Sequence, residues 1–168
     1  MGVRNYLVEG VSCTGKTSVA TELGRRGHHV VHGDRELAYQ GDPVTGAPLP
    51  GLHHEHHVWD VSRVREIVAD QSVPVTFLCG GSRNFPLFLD LFDEVFVLEV
   101  DRATLLSRLD GRPSDEWGAR PEERDLVLRV HASGDDVPAG TAIDATRPLA
   151  EVVDEIVRRA VRAGRVER

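Results

Sequence analysis

Apolar residues along this chain fall into two alternating kinds of pattern. Short continuous runs bounded by Gly or Pro read as strands buried on both faces: "RNYLVEG", "HHVVHGD", "VPVTFLCGG", "EVFVLEVD" and a brief "TAID". Segments with helical spacing lie between them. "GKTSVATELGRRG" sets Val19, Ala20 and Leu23 on one face and stops at Gly27, while "RATLLSRLDGR" opens a helix that breaks at Gly111 and Pro113. "PEERDLVLRVHA" starts on a proline, and "PLAEVVDEIVRRAVRAG" is a closing amphipathic helix. A helix is also predicted from about His53 to Asp70, where Val58, Val61, Val64 and Val68 form a stripe opposite Asp60, Arg63 and Glu66. "FPLFLDLF" reads as a short helix and "RELAYQGDPVTGAPLPG" as a loop. Strands alternating with helices predict an α/β fold whose parallel sheet is covered on both faces. With no repeat or linker in view, residues 1–168 read as a single domain whose last residues, "RVER", are frayed.

Composition narrows the partners. A formal net charge of -7 argues against a nucleic-acid polymer or an anionic membrane as partner, since both select basic surfaces. No apolar run approaches the roughly 18 residues of a membrane span. The N-terminus enters a strand pattern with no signal-peptide core, so a soluble cytoplasmic protein, monomer or homodimer, is expected. Cys13 and Cys79 lie too far apart in sequence to read as a ligand or redox pair. Among the 20 basic residues the only lysine is Lys16, which suggests a task that needs a compact ammonium and not a guanidinium fork.

Lys16 belongs to "GVSCTGKT", Gly10 to Thr17, a G-x-x-x-x-G-K-T pattern between the first strand and the first helix. Its glycines let backbone N–H groups turn toward a β-phosphate at a helix N-terminus. Lys16 then reaches the β- and γ-phosphates, and the Thr17 hydroxyl is placed for Mg2+. Gly10, Ser12, Cys13, Thr14, Gly15, Lys16, Thr17 and Ser18 are therefore the candidate contacts for ATP, with no catalytic role for Cys13.

With this loop in hand, the chain resembles the P-loop small-molecule kinases, the group of nucleoside-monophosphate, shikimate and gluconate kinases. "GHHVVHGDREL", "DEVFVLEVDRATLLSRLDGR" and "IDATRPLAEVVDEI" resemble their second strand, their fourth strand leading into the lid, and their last strand with its base loop. The resemblance implies a three-layer sandwich, a five-stranded parallel sheet with helices on both faces. It implies an acceptor-binding segment at about 35–70 and a short lid at about 109–122. A Ras-type GTPase would need an N-K-x-D motif, which a chain with only Lys16 cannot contain, and no L-S-G-G-Q is present.

The third strand carries no Walker B acid and ends in Gly80 and Gly81, which the resemblance assigns to close approach of the acceptor. Asp34 then becomes the residue that orients the acceptor hydroxyl and joins Thr17 around Mg2+, with Glu36 and Asp60 as fallback acids. Arg83 stands where relatives bind an anionic group of the acceptor, and Arg35 follows Asp34 toward the same pocket. Arg108 and Arg112 stand where the lid neutralises the transferring phosphoryl group, and Arg147 neighbours the base. Arg120 and Arg124 read better as solvated surface arginines. The implied reaction is in-line transfer of the γ-phosphoryl from ATP to a small-molecule acceptor, a nucleoside or nucleotide ahead of a sugar acid or an antibiotic. A nucleotide-binding regulator with weak hydrolysis is the reading from another class.

"GLHHEHHVWD" holds four of the eight histidines and leaves three readings open. On a helix, His53, His56 and Asp60, or His53 with His57, could share a metal. The cluster could also be solvated. Or His53 and His57 could hydrogen-bond acceptor hydroxyls while Trp59 stacks on an acceptor ring.

Overall fold

The structure, a computed structural model, describes residues 3–163; the "RVER" tail lies outside the described residues. In chain order come β1 (Arg4–Glu9), α1 (Lys16–Arg25), β2 (His29–His32), a one-turn helix α2 (Gly33–Glu36), β3 (Ala38–Gln40) and β4 (His57–Trp59). Then follow α3 (Val61–Ala69), β5 (Val75–Cys79), β6 (Glu94–Glu99), α4 (Arg102–Asp110), α5 (Pro121–Ser133), β7 (Thr141–Asp144) and α6 (Leu149–Ala163). The five predicted apolar runs pair in parallel in the order β2-β5-β1-β6-β7. A strand that is apolar on both faces is stable only between two covering layers, and both layers are present.

Alternation along the strands splits the core in two. Tyr6 and Val8 of β1, Phe77 of β5, Phe96 and Leu98 of β6 and Ile143 of β7 face α1, α4, α5 and α6, meeting Leu23, Leu105, Val127 and Ile156. Leu7, Val31, Leu78, Val95 and Val97 face the other way, toward Leu37, Trp59, Val64 and Phe88. Burying each large side chain of this kind contributes about 1.5–3 kcal/mol. Tyr6 keeps its polar end satisfied by donating from its hydroxyl to the Ala160 carbonyl at 2.9 Å. The register sets Val8 beside Cys79 on one neighbour and Phe96 on the other. The carboxyl ends of β2, β5 and β1 thus lie side by side, where ligands bind in open α/β sheets.

Three local predictions are corrected. The helix predicted from about His53 to Asp70 begins only at Val61, where the Asp60 carboxylate caps it by accepting from the Arg63 amide at 3.0 Å. Residues 57–59 instead pair antiparallel with Ala38–Gln40, inside the segment read as a loop. Asn84, 2 % exposed, holds them extended: its side chain accepts from the Trp59 amide and donates to the Trp59 carbonyl, both at 2.9 Å. "FPLFLDLF" forms two 3-10 turns instead of one helix, broken at Phe88. Among the described residues no helix is long and apolar enough to cross a membrane.

Asp60→Ala is expected to lower the unfolding free energy by about 1 kcal/mol through loss of the α3 cap. Chemical denaturation measures this, and an unchanged midpoint would mean the cap contributes nothing.

Candidate functional site

The loop between β1 and α1 is bent into a cradle by its own backbone. Gly10 (φ 151) and Cys13 (φ 68) adopt backbone angles that side chains avoid. A Cβ on Gly10 would lie 2.6 Å from Thr14 Oγ1 and 2.8 Å from the Leu98 carbonyl oxygen, so the position accepts only glycine. The first turn of α1 has no side-chain cap and no acidic residue, which leaves its amides and its dipole to an anion. Lys16 folds back over the loop, donating from Nζ to the carbonyls of Gly10 (2.5 Å) and Val11 (3.0 Å).

Two cavities meet at this lysine. One, of about 810 Å3, is a groove along the loop lined by residues 12–18 with Asp34, Arg35, Arg108, Arg112 and Arg147 among its walls. Its excess of cations suits a polyanion. The other, of about 350 Å3, lies between the loop, the His53–His57 segment and α5, with Gln40, Gly81, Arg83, Asp136 and the apolar Val127, Val130 and Val137 in its walls. Ser12, Lys16, Asp34, Arg112 and Trp117 line both.

Asp34 sits in that shared wall because the end of β5 makes room for it. Gly80 (φ 149) has no side chain, and a Cβ there would lie 2.8 Å from both Asp34 Oδ1 and the Trp59 ring. Asp34 Oδ1 accepts from the Gly81 amide and lies within reach of His57 Nε2, each at 3.1 Å. Burial pushes the Asp34 carboxyl up, but the His57 hydrogen bond and the Lys16 charge outweigh it and hold the group below its ordinary value. A carboxylate from α2 thus stands at the end of β5, which carries no acid of its own. Asp34 and the Thr17 hydroxyl, which has no partner among the described residues, both line the groove. These hard oxygens fit Mg2+, which takes few protein ligands and completes its shell with water and phosphate oxygens.

Several expected contacts fall elsewhere. Trp59 was expected to stack on the acceptor. It is 1 % exposed, stacked on Phe88 at 5.6 Å between ring centroids, and packed so closely that a Cβ on Gly33 would overlap its ring. No face is left for a ligand, and its role is to back Gly33, Asp34 and Gly80. Gly80 lines neither cavity, and Arg35 lines the loop groove in place of the acceptor cavity. Arg108 does line the loop groove, and there it also donates to backbone: Nη1 to the carbonyls of Cys13 (3.2 Å) and Thr14 (3.0 Å), Nη2 to Ala145 (2.7 Å). It ties the phosphate loop to the loop after β7, where Arg147 stands. Arg112 donates to the Trp117 carbonyl and lies 3.6 Å from Glu116, so the lid arginine that faces both cavities is Arg112.

The histidines separate once the helix is withdrawn. His53 is exposed and edges against His56, His54 stacks on Trp117, and His57 meets Asp34. The i, i+3, i+4 metal geometry required a helix that is absent, and no group of three His, Cys, Asp or Glu among the described residues is placed to hold a metal ion.

Two acids escaped the sequence reading. Asp136, in the turn after α5, pairs with Arg83 and His54; no local pattern marks it. Glu9 did leave a signal, a charged residue closing an apolar strand directly before the phosphate loop. It is 1 % exposed and accepts from the amides of Gly10 (2.8 Å) and Ser82 (3.2 Å). Burial raises its carboxyl from 4.5 to about 7, against the opposing pull of Lys16 and the Gly10 amide. Burial likewise lowers the Lys16 ammonium, opposed by Glu9 and Asp34.

Because the folded state holds the Glu9 proton more tightly than the unfolded chain, this contribution to stability is complete below pH about 4.5 and is lost as pH rises through about 7. The span corresponds to about 3 kcal/mol, so Glu9→Gln is expected to flatten the fall in stability across that window by this order. Denaturation midpoints from pH 4 to 8 measure it; parallel wild-type and variant profiles would contradict it.

No protein-family model matches this chain, and no curated protein sequence does. Solved structures do match. A gluconokinase from Sinorhizobium meliloti aligns at 20% identity with TM-score 0.57, over 95% of this chain and 92% of its own. A sugar kinase from a Janibacter species aligns at 17% identity and 0.58, over 93% of each chain. A deoxyadenosine kinase from M. mycoides, solved with dATP bound, aligns at 12% identity and 0.51, over 93% of this chain and 98% of its own. The fold of this chain is that of the P-loop small-molecule kinases.

Proposed function

We propose that this protein is an ATP- and Mg2+-dependent kinase that transfers the γ-phosphoryl group to a small-molecule acceptor, a nucleoside or nucleotide ahead of a sugar acid or an antibiotic. One observation carries the reading: the groove that suits a polyphosphate and the cavity that suits an organic ring are separate spaces with one common wall, and Lys16 and Asp34 stand in it. A molecule that only bound or hydrolysed a nucleotide would have no use for the second space. The kinases that share the fold support the same assignment.

In the proposed reaction the loop amides and Lys16 hold the β- and γ-phosphates, and Arg112 approaches from the lid side. Asp34 accepts a hydrogen bond from the acceptor hydroxyl and takes its proton as the oxygen attacks phosphorus in line with the departing ADP oxygen. His57, already bonded to Asp34, fixes the orientation of that carboxylate. Thr17 and Asp34 would hold Mg2+, which supplies charge neutralisation across the phosphate oxygens. Arg112 and Trp117 line both cavities, and closing of their segment over a bound ligand would exclude water. Glu9 is the second acid near the site, but it is 1 % exposed and lines neither cavity, so the proton is assigned to Asp34.

One feature favours the regulator reading, namely that β5 ends in Cys79, Gly80 and Gly81 with no acid of its own. ADP release with and without a panel of acceptors decides between them, since only a kinase depends on the acceptor.

Lys16→Ala is expected to abolish acceptor-dependent ADP release while the circular-dichroism spectrum stays native; retained turnover refutes the assignment. Asp34→Asn is expected to lower kcat by about 10²–10⁴ with little change in the KM for ATP. A larger loss in Glu9→Gln than in Asp34→Asn would transfer the proton-accepting role to Glu9.

A further inference from the structure

Arg83 arrives in the acceptor cavity already neutralised. Its Nη1 lies 2.9 Å from Asp136 Oδ2, and the same carboxylate oxygen lies 2.8 Å from His54 Nε2. Arg83 Nη1 and His54 Nε2 are themselves 3.3 Å apart, so the three groups form a closed triangle. The Arg83 side chain is only 11% exposed and Asp136 30%, so the pair is substantially shielded and water screens it weakly. His54 adds no charge at neutral pH, because burial holds its imidazole below the ordinary value. Burial would raise the Asp136 carboxyl, but the His54 hydrogen bond and the Arg83 charge hold it below its ordinary range, so it is ionised.

The elements that bring these groups together are independent of one another. Arg83 follows β5, and its amide donates to the His57 carbonyl at 2.8 Å. His54 comes from the histidine segment and is stacked on Trp117 of the lid at 5.3 Å. Asp136 comes from the turn after α5. Val127, Val130, Val137, Gln40 and His53 also line this cavity. The remaining charges in its wall are Lys16, Asp34 and Arg112, all of which also line the nucleotide groove. An anionic group placed at Arg83 would therefore meet Asp136 at once. An uncharged group finds both kinds of partner there: Arg83 Nη2 and Asp136 Oδ1 are not hydrogen-bonded to any described residue.

Resting on the kinase reading for its chemistry, we propose that Asp136 sets the charge class of the acceptor, making the cavity a site for an uncharged, hydroxyl-bearing ring compound and rejecting acceptors that carry a phosphate or carboxylate at the Arg83 end. Asp136 is in this account a specificity-determining residue that acts through Arg83 as well as by direct repulsion. The expected acceptor is then a nucleoside in preference to a nucleotide, or a neutral cyclic polyol in preference to its acid. This narrows the expectation that Arg83 serves as the receptor for an acceptor's anion.

The experiment uses the full chain with a non-hydrolysable ATP analogue and Mg2+. Calorimetry gives dissociation constants for matched pairs, thymidine or adenosine against its 5′-monophosphate and glucose against gluconate. The wild type is expected to bind the neutral member of at least one pair more tightly. Asp136→Asn is expected to shift the ratio of the two constants toward the anion by on the order of tenfold or more, and Asp136→Glu to keep the wild-type preference. A stability loss common to both members of a pair cancels in the ratio. Tighter binding of the anionic member by the wild type in every pair, binding of no neutral member, or a ratio unmoved by Asp136→Asn would overturn the proposal. Parallel assays of ADP release with ATP separate the two readings. Neutral compounds that bind selectively but never provoke ADP release uphold the charge selectivity and refute the kinase.

Discussion

Gly10 and Gly80 end neighbouring strands, and neither can carry a Cβ. Behind Gly10 stand the Thr14 hydroxyl and the Leu98 carbonyl; behind Gly80 stand the Asp34 carboxylate and the buried Trp59 ring. The space released by two absent side chains is filled by a phosphate-binding backbone on one side and by a carboxylate on the other. Trp59 is the rigid plate that makes the second arrangement possible. It is sandwiched between Phe88 and the α2 backbone, so α2 cannot sink inward and Asp34 is held at the mouth of the sheet. The residue that looked most like a substrate contact serves instead to hold Asp34 in place.

The charges around this crowded point are arranged to be incomplete without a ligand. Glu9 is buried and Lys16 is half-buried over its own loop, and desolvation pushes each toward its neutral form. Lys16 meanwhile donates to two carbonyls of its own loop, an arrangement that a bound polyphosphate would replace with a stronger, charge-assisted one. Nucleotide binding is thus expected to strengthen the ammonium form of Lys16. Asp34 differs from Glu9 because its side chain is 42% exposed and because the His57 hydrogen bond and the Lys16 charge outweigh its partial desolvation. One carboxyl is thereby raised to about 7 and the other held below its ordinary value, a recurring way for a site to separate like groups.

Local pattern made the sheet, the phosphate loop and most helices legible, because each depends on the period of neighbouring residues. The failures all involve a partner distant in sequence. Val58 to Val68 has helical spacing, yet Asn84 binds both backbone groups of Trp59 and Ala38–Gln40 pairs with the same residues, so the first part is extended. Asp136 reaches Arg83 from another element entirely, and no spacing foretells it. The bonds from Arg108 to the carbonyls of Cys13, Thr14 and Ala145 likewise join elements far apart in sequence. Glu9 is the exception. An acid ending an apolar run is costly to bury, and that much is visible in the sequence.

The histidine segment marks the limit of a local reading most clearly. Four imidazoles in five positions would concentrate ligands only if the backbone kept them on one face. Here a 3-10 turn at His54–His56 gives way to an extended strand at His57, which turns successive side chains apart. His57 goes to Asp34 in the wall common to both cavities, while His54 goes to Asp136, Arg83 and Trp117. One segment therefore touches the acid that would activate the acceptor and the ion pair that would select it. A displacement of this strand would move both together, coupling what the cavity admits to whether Asp34 is in position. At both points the imidazole brings a ring nitrogen within hydrogen-bond reach of a carboxylate, 3.1 Å at Asp34 and 2.8 Å at Asp136.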